Sequence, residues 1–304
     1  MDYMLKTCGL SKKFGKTMAL DNLSMQVPKG SIYGFIGRNG AGKTTLIRVI
    51  CGLQEPTDGT YYIDGIKNTE KDISAIYGNV GAVVESPAIY LDMSAEDNLK
   101  QQCLILGIRS YDAVPELLDL VGLGDTGKKH ARHFSLGMKQ RLGIAVALVG
   151  NPDFLVLDEP VNGLDPQGII DIRELILRLN RERHITVLIS SHILDELARL
   201  ATHYGFIDKG RIVREINAEE LKAQLQKCFR VEVSDLSAIK RILDARKLDY
   251  EIVSGNTVNV FGEIGLPQLI RELAEENCEL LSVQEQDESL EDYFIKLIGG
   301  EDNA

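Results

Sequence analysis

The chain has 304 residues, 44% of them hydrophobic and 26% charged, which suits a globular protein of about two domains and excludes a disordered or fibrous one. Its net charge is −11, and residues 217–304 carry −10 of it through 9 Lys and Arg against 19 Asp and Glu, so neither part offers the basic stripe a nucleic acid requires and no nucleic-acid partner is expected. The cysteines Cys8, Cys51, Cys103, Cys228 and Cys278 form no CxxC pair, and no apolar run approaches the ~18 residues of a membrane span or the core of a leader peptide, so reduced thiols and a cytosolic chain are expected.

From the N-terminus, short apolar runs alternate with helical patterns, which predicts an α/β domain over residues 1–216 built on a mixed, largely parallel sheet. Strands are predicted at Ser31–Ile36, Val80–Val84, Phe154–Leu157 and Thr186–Ser190, each almost wholly apolar, as strands covered on both faces are. A helix over Lys43–Cys51 ends on Gly52, which suits a left-handed cap, and Gly168–Leu179 sets Ile169, Ile172, Ile176 and Leu179 on one face. Beyond residue 216 the pattern changes. Strand Phe229–Val233, helix Leu236–Lys247, strand Tyr250–Val253, a turn at Ser254-Gly255-Asn256, strand Val258–Phe261, helix Pro267–Asn277 and strand Glu279–Gln284 follow, with a last helix at Leu290–Ile298. The order β-α-β-β-α-β predicts a smaller α+β domain of ferredoxin-like type over 217–304.

Three strand ends carry chemistry. Gly37-Arg38-Asn39-Gly40-Ala41-Gly42-Lys43-Thr44 fits G-x-x-x-x-G-K-[ST] between a strand and a helix, the context in which successive N–H groups and a helix N-terminus cradle phosphates. Lys43 then reaches the outer phosphates, the Thr44 hydroxyl ligates Mg²⁺, and Thr45 continues the cradle. Asp158 and Glu159 follow the strand Phe154–Leu157; Asp158 is expected at the Mg²⁺ and Glu159 at the water that attacks the terminal phosphate. His192 emerges from the third strand at the edge where ligands of open α/β sheets gather, which places it near the terminal phosphate.

Phe134-Ser135-Leu136-Gly137-Met138-Lys139-Gln140-Arg141, just before the carboxylate strand, resembles the signature segment of ABC ATPases. That family mostly reads L-S-G-G-Q, so Ser135 and Gly137 match while Leu136 and Met138 depart. A serine and a glycine opening a helix predicted over Met138–Val149 offer a hydroxyl, free N–H groups and a helix dipole to an anion. The resemblance covers residues 1–216 and implies a P-loop ABC ATPase domain with a helical subdomain. It also implies a homodimer or closely related pair in which Ser135, Gly137 and Met138 meet the ATP of the other subunit. Asn162-Gly163-Leu164-Asp165 resembles the loop crossing that interface, through Asp165. Phe14 stands either in the core or where the family sets an aromatic ring against adenine.

Where the family usually has glutamine, after Val80–Val84, this chain has Glu85, followed by Ser86-Pro87. The resemblance gives that side chain a place at Mg²⁺ and the attacking water, and the loop beyond it a helix of an integral membrane permease. Glu85-Ser86-Pro87 and Ser289-Leu290-Glu291-Asp292-Tyr293-Phe294 resemble the ATP-binding subunits of bacitracin-resistance and lantibiotic-immunity exporters, which lie on the inner face of the cell membrane. A non-transport ABC ATPase acting on nucleic acid or ribosomes is the alternative; a single cassette without heptad runs or a basic patch argues against it.

Overall fold

A computed structural model describes residues 2–225, 227–262, 264–287 and 289–299, and the chain divides into two compact units between Ala218 and Glu219. The first unit begins with strands β1 (Tyr3–Phe14), β2 (Thr17–Leu23) and β3 (Gln26–Pro28), then β4 (Ile32–Gly37), helix α1 (Lys43–Ile50), β5 (Asp58–Ile63), β6 (Ile66–Lys67), α2 (Ile73–Tyr77) and β7 (Val80–Val83). It continues with helices α3 (Ala95–Ile105), α4 (Ala113–Leu120) and α5 (Leu136–Leu148), then β8 (Phe154–Asp158), α6 (Pro166–Arg183), β9 (Thr186–Ser191), α7 (Leu194–Ala198), β10 (His203–Asp208) and β11 (Arg211–Asn217).

The central sheet has the order β11-β10-β4-β9-β8-β7 and is parallel throughout except where β11 returns beside β10. Every residue of β4, β8 and β9 is buried, which is why these segments read as unbroken apolar runs. Their register pairs Ile36 with Ser191 and Ser190 with Asp158, so the carboxyl ends of three neighbouring strands deliver the glycine loop, the two acids and His192 to one edge. A second sheet, β2-β1-β5-β6 with β3 beside β1, is antiparallel. One buried cluster joins Leu5, Leu10 and Leu20 of this sheet to Leu46 and Ile47 of α1 and to Phe154 and Leu188 of the central sheet. Burying each such side chain stabilises by about 1.5–3 kcal/mol, so α1 is held from both sides and its N-terminus is fixed in place.

Helices α3, α4 and α5 contact one another and bury Leu99, Cys103, Leu117, Leu118, Leu142 and Ile144, forming the expected helical subdomain. Two helix starts differ from the expectation, and both for the same reason. Helix α5 begins at Leu136 rather than Met138 because Ser135 takes the cap position, and α6 begins at Pro166 rather than Gly168 because Asp165 caps it and Pro166 fits the first turn. Helix α6 also runs four residues past Leu179, beyond its apolar stripe, to a left-handed His184.

The second unit contains α8 (Ala218–Gln224), β12 (Lys227–Val233), α9 (Leu236–Arg246), β13 (Tyr250–Ser254), β14 (Thr257–Phe261), α10 (Leu266–Glu275), β15 (Leu280–Asp287) and α11 (Leu290–Gly299). Its antiparallel sheet has the order β13-β14-β12-β15, the arrangement of a split β-α-β fold, with Gly255 at φ 51 turning β13 into β14. Val231, Val233, Val258 and Val260 of the sheet meet Ile239 and Leu243 of α9 and Leu269 of α10 in a core of their own. Among the described residues, no helix is long and apolar enough to cross a membrane.

Candidate active site

The first turn of α1 has no side-chain cap, unlike α3, α5 and α6, whose starts are closed by Ser94, Ser135 and Asp165. Its cap residue Gly42 has φ 111, and a Cβ there would sit 2.5 Å from the Ala19 carbonyl oxygen, so glycine is required. The N–H groups of that turn, with the partial positive charge of the helix end, open into a cavity of about 440 Å³ lined by Ala19, Asn39, Gly40, Gly42, Lys43, Thr44, Thr45, Glu159, Asn162 and His192. Lys43 is 6% exposed; its Nζ donates to the Gly37 carbonyl oxygen at 2.7 Å and lies 3.3 Å from Glu159 Oε1. A desolvated ammonium aimed at a cradle of N–H groups is a receptor for an anion. Gly37 and Ala41 are buried behind this surface.

Asp158, 2% exposed, accepts a hydrogen bond from Ser190 Oγ at 2.6 Å, and the Glu159 N–H donates to the same hydroxyl at 3.0 Å. Ser190 thus ties the two acids to β9, and the register that pairs Asp158 with Ser190 makes this possible. Glu159 has φ 50, a left-handed backbone that costs a non-glycine residue about 1–3 kcal/mol and recurs at functional sites. That turn leaves Asp158 inside and swings Glu159 into the cavity. Its Oε1 faces Lys43, while Oε2 lies 2.6 Å from Nδ1 of His192. Lys43, Glu159 and His192, from three elements, therefore form one connected polar chain along the cavity.

The remaining predicted residues lie elsewhere on the first unit. Glu85 does not line the cavity; its carboxylate takes a 2.6 Å hydrogen bond from Arg48 of α1, and its backbone is left-handed at φ 61. Phe14 is 46% exposed rather than core, with Lys12 Nζ 5.2 Å from its ring centroid. Ser135 is exposed and accepts from the Met138 N–H at 3.2 Å. Among the described residues nothing crowds Gly137, where a Cβ would stay 3.9 Å from its nearest neighbour. Asp165 accepts from the Gly168 N–H at 3.2 Å.

Ser190 and Ala19 were not singled out from the sequence as parts of the site, and Asn162, read as part of the loop that crosses the subunit interface, lines the cavity as well. The pair Ser190-Ser191 ending an apolar strand is a signal that could have found the first; the others are brought in by tertiary contacts. Among the described residues, no group of three or more His, Cys, Asp or Glu is arranged to hold a metal ion unaided. Thr44 in the cavity and the buried oxygen of Asp158 nevertheless suit Mg²⁺, a hard ion that usually binds through one or two carboxylates, waters and substrate phosphates rather than an all-protein cage.

A phosphate loop after β4, a buried lysine and a carboxylate at the end of β8, with β9 between the two strands, define a P-loop nucleotide hydrolase. The family described as ABC transporter matches residues 20–162. The bacitracin transport ATP-binding protein BcrA of Bacillus licheniformis is 42% identical over 303 residues, 99% of this chain and 99% of that protein. The lantibiotic transport ATP-binding protein SrtF of Streptococcus pyogenes is 44% identical over 212 residues, 70% of this chain and 90% of that protein. The dimeric ATP-binding cassette MJ0796, in a post-hydrolysis state bound to ADP and Pi, superposes with a TM-score of 0.64 at 26% identity over 71% of this chain and 99% of that one. The chain belongs to the ATP-binding subunits of ABC transporters: it binds ATP, and its activity is ATP hydrolysis coupled to transport.

Proposed function

We propose that the chain powers an exporter of a peptide antibiotic or related amphiphile, working as a pair on a separate membrane subunit at the inner face of the cell membrane. Similarity over 99% of the chain to a bacitracin transport protein supports the cargo class. The observation that carries the chemistry is the polar chain Lys43–Glu159–His192 beside the uncapped N-terminus of α1. ATP phosphates sit on the N–H groups of Gly40 to Thr45, with Lys43 at the outer phosphates and Phe14 against adenine. Thr44, Asp158 and Glu85 are the proposed Mg²⁺ contacts, and the ion, when bound, offsets charge on the outer phosphates. Glu159 accepts a proton from the water as its oxygen attacks the terminal phosphorus and the bond to ADP breaks; His192 holds Glu159 in line.

Ser135, Gly137 and Met138 complete the site of the paired subunit, where Asp165 also crosses. Exposure of Ser135 and the open space at Gly137, which no packing within the chain explains, support an approach from outside. One nucleotide shared by two subunits binds the closed pair better than the open one, and about 5.5 kcal/mol of differential affinity carries a pair from 1:99 to 99:1 closed. The loop from Glu85 to Asp92, which exposes Tyr90 and Leu91, is the proposed seat of the membrane subunit. The unit from Glu219 on is read as an accessory domain. Glu159→Gln keeps the size of the side chain and removes its basicity; ATP turnover is expected to fall by about 10²–10⁴ while light scattering shows an ATP-dependent dimer. Turnover at the parental rate removes Glu159 from this role.

A further inference from the structure

Beyond Val187, Leu188 and Ile189, strand β9 buries a hydroxyl: Ser190 has no exposed surface. Burying a hydroxyl costs free energy unless it is hydrogen-bonded, and this one is used twice. Its Oγ donates to Asp158 Oδ1 at 2.6 Å and accepts from the Glu159 N–H at 3.0 Å. The same N–H also donates to the Ser190 carbonyl oxygen at 3.2 Å. A hydroxyl has one proton, and an ionised carboxylate only accepts, so the bond to Asp158 fixes the lone pairs of Oγ toward Glu159. His192, two residues further on, holds the other end of Glu159, with Nδ1 2.6 Å from Oε2. The end of β9 therefore grips Glu159 at its backbone through Ser190 and at its carboxylate through His192.

We propose that Ser190 is a positioning residue for hydrolysis, its one hydroxyl setting both the left-handed turn that presents Glu159 and the orientation of Asp158. This rests on the readings of Glu159 as the base and of Asp158 as a Mg²⁺ contact. A non-glycine residue stays at φ 50 only where its surroundings over-determine that backbone, and the hydroxyl and carbonyl of Ser190 supply two acceptors for the single N–H involved. On the Asp158 side, the hydrogen bond at Oδ1 holds the carboxylate in one orientation, the duty of a group that stands behind a metal ligand. Alanine or valine in the same buried place would satisfy the strand and leave both bonds unmade, so strand packing does not account for the hydroxyl.

The test uses the full-length protein and compares Ser190→Ala with Ser190→Thr, which keeps a hydroxyl on a side chain suited to a strand. Ser190→Ala is expected to lower kcat about 10- to 100-fold with KM for ATP within about twofold of parental, because the N–H cradle of Gly40 to Thr45 is untouched. With a non-hydrolysable ATP analogue bound, its affinity for Mn²⁺, read by electron paramagnetic resonance, is expected to fall about tenfold. Ser190→Thr is expected to restore most of both. A parental kcat or a parental Mn²⁺ affinity in Ser190→Ala overturns the proposal, as does a Ser190→Thr protein that unfolds at the parental temperature and turns over as slowly as the alanine variant. If the added methyl of threonine prevents folding, a Glu159→Gln background decides. There, at saturating Mg²⁺, Ser190→Ala is expected to slow the residual single-turnover rate by about twofold or less, and an equal loss in both backgrounds overturns the proposal. Glu159→Gln at the parental rate instead sinks the reading of Glu159 on which the proposal rests, and Asp158→Asn with parental Mn²⁺ affinity sinks that of Asp158.

Discussion

Glu159 is shared between a cation and an imidazole, and the division of its two oxygens explains its orientation. Oε1 faces Lys43 and Oε2 faces His192, while the Ser190 hydroxyl fixes the backbone that presents them. Removing His192 leaves the carboxylate free to turn toward Lys43 alone. His192→Ala is therefore expected to lower kcat by about a hundredfold or more with little change in KM for ATP, since the phosphate cradle is untouched; a rise in KM at constant kcat would assign His192 to binding instead. Phe14 has the opposite signature. Phe14→Ala should raise KM several-fold at unchanged kcat if the ring meets adenine, and an unaltered KM excludes that contact. Cys51, behind α1, is a different kind of residue: burial pushes its thiol up to about 12, with the charge of Asp158 adding to the effect. At pH 8 its thiolate fraction is then ~10⁻⁴, against roughly a quarter for an ordinary thiol. Cys51 is only partly buried, so iodoacetamide at pH 8 should label it much more slowly in the folded protein than in denaturant, and equal rates in the two states would contradict the raised pKa.

At the scale of elements, the start of α5 has two duties that substitution can separate. Ser135 caps the helix through Met138 N–H, and the same hydroxyl and helix end are proposed to face the partner's ATP. Ser135→Ala removes the cap and is expected to cost about 1 kcal/mol, together with ATP-dependent dimerisation. Ser135→Asp keeps a capping oxygen but sets a negative charge against the phosphates. It should unfold at the parental temperature and yet fail to dimerise; a normal dimer would show that this helix start meets no anion. Legibility also divides by element. The phosphate loop and Asp158-Glu159 could be read because each lies within a few residues of a buried strand whose apolar run marks it. Strand β1 was not read, because bulges at Leu10–Lys12 and Lys12–Lys13 break the alternation that would announce it. The cap residues Ser135 and Asp165 were seen as site residues, yet their capping moved both helix starts. Arg48 has no local signal at all, since its partner lies 37 residues away and only the packing of α1 brings the two together.

Among the described residues each unit has a buried apolar cluster, and the charge of the chain follows the division between the units. The first unit is nearly neutral, as a protein that must close around polyphosphate benefits from being, whereas residues 217–304 carry almost all of the −11. Leu243 is fully buried among Ile239, Val258, Val260 and Leu269 in the second core, and none of the residues in the ATP cavity belongs to that cluster. Leu243→Ala removes three carbon atoms and leaves a void, at a cost of about 2–5 kcal/mol. That loss should lower one calorimetric transition while a fluorescent ATP analogue binds at the Lys43 site with parental affinity. If the analogue weakens in step with that transition, the second unit shares in forming the nucleotide site, and its role is no longer accessory. If affinity holds but turnover with the membrane subunit falls, the acidic unit acts on coupling rather than on nucleotide binding.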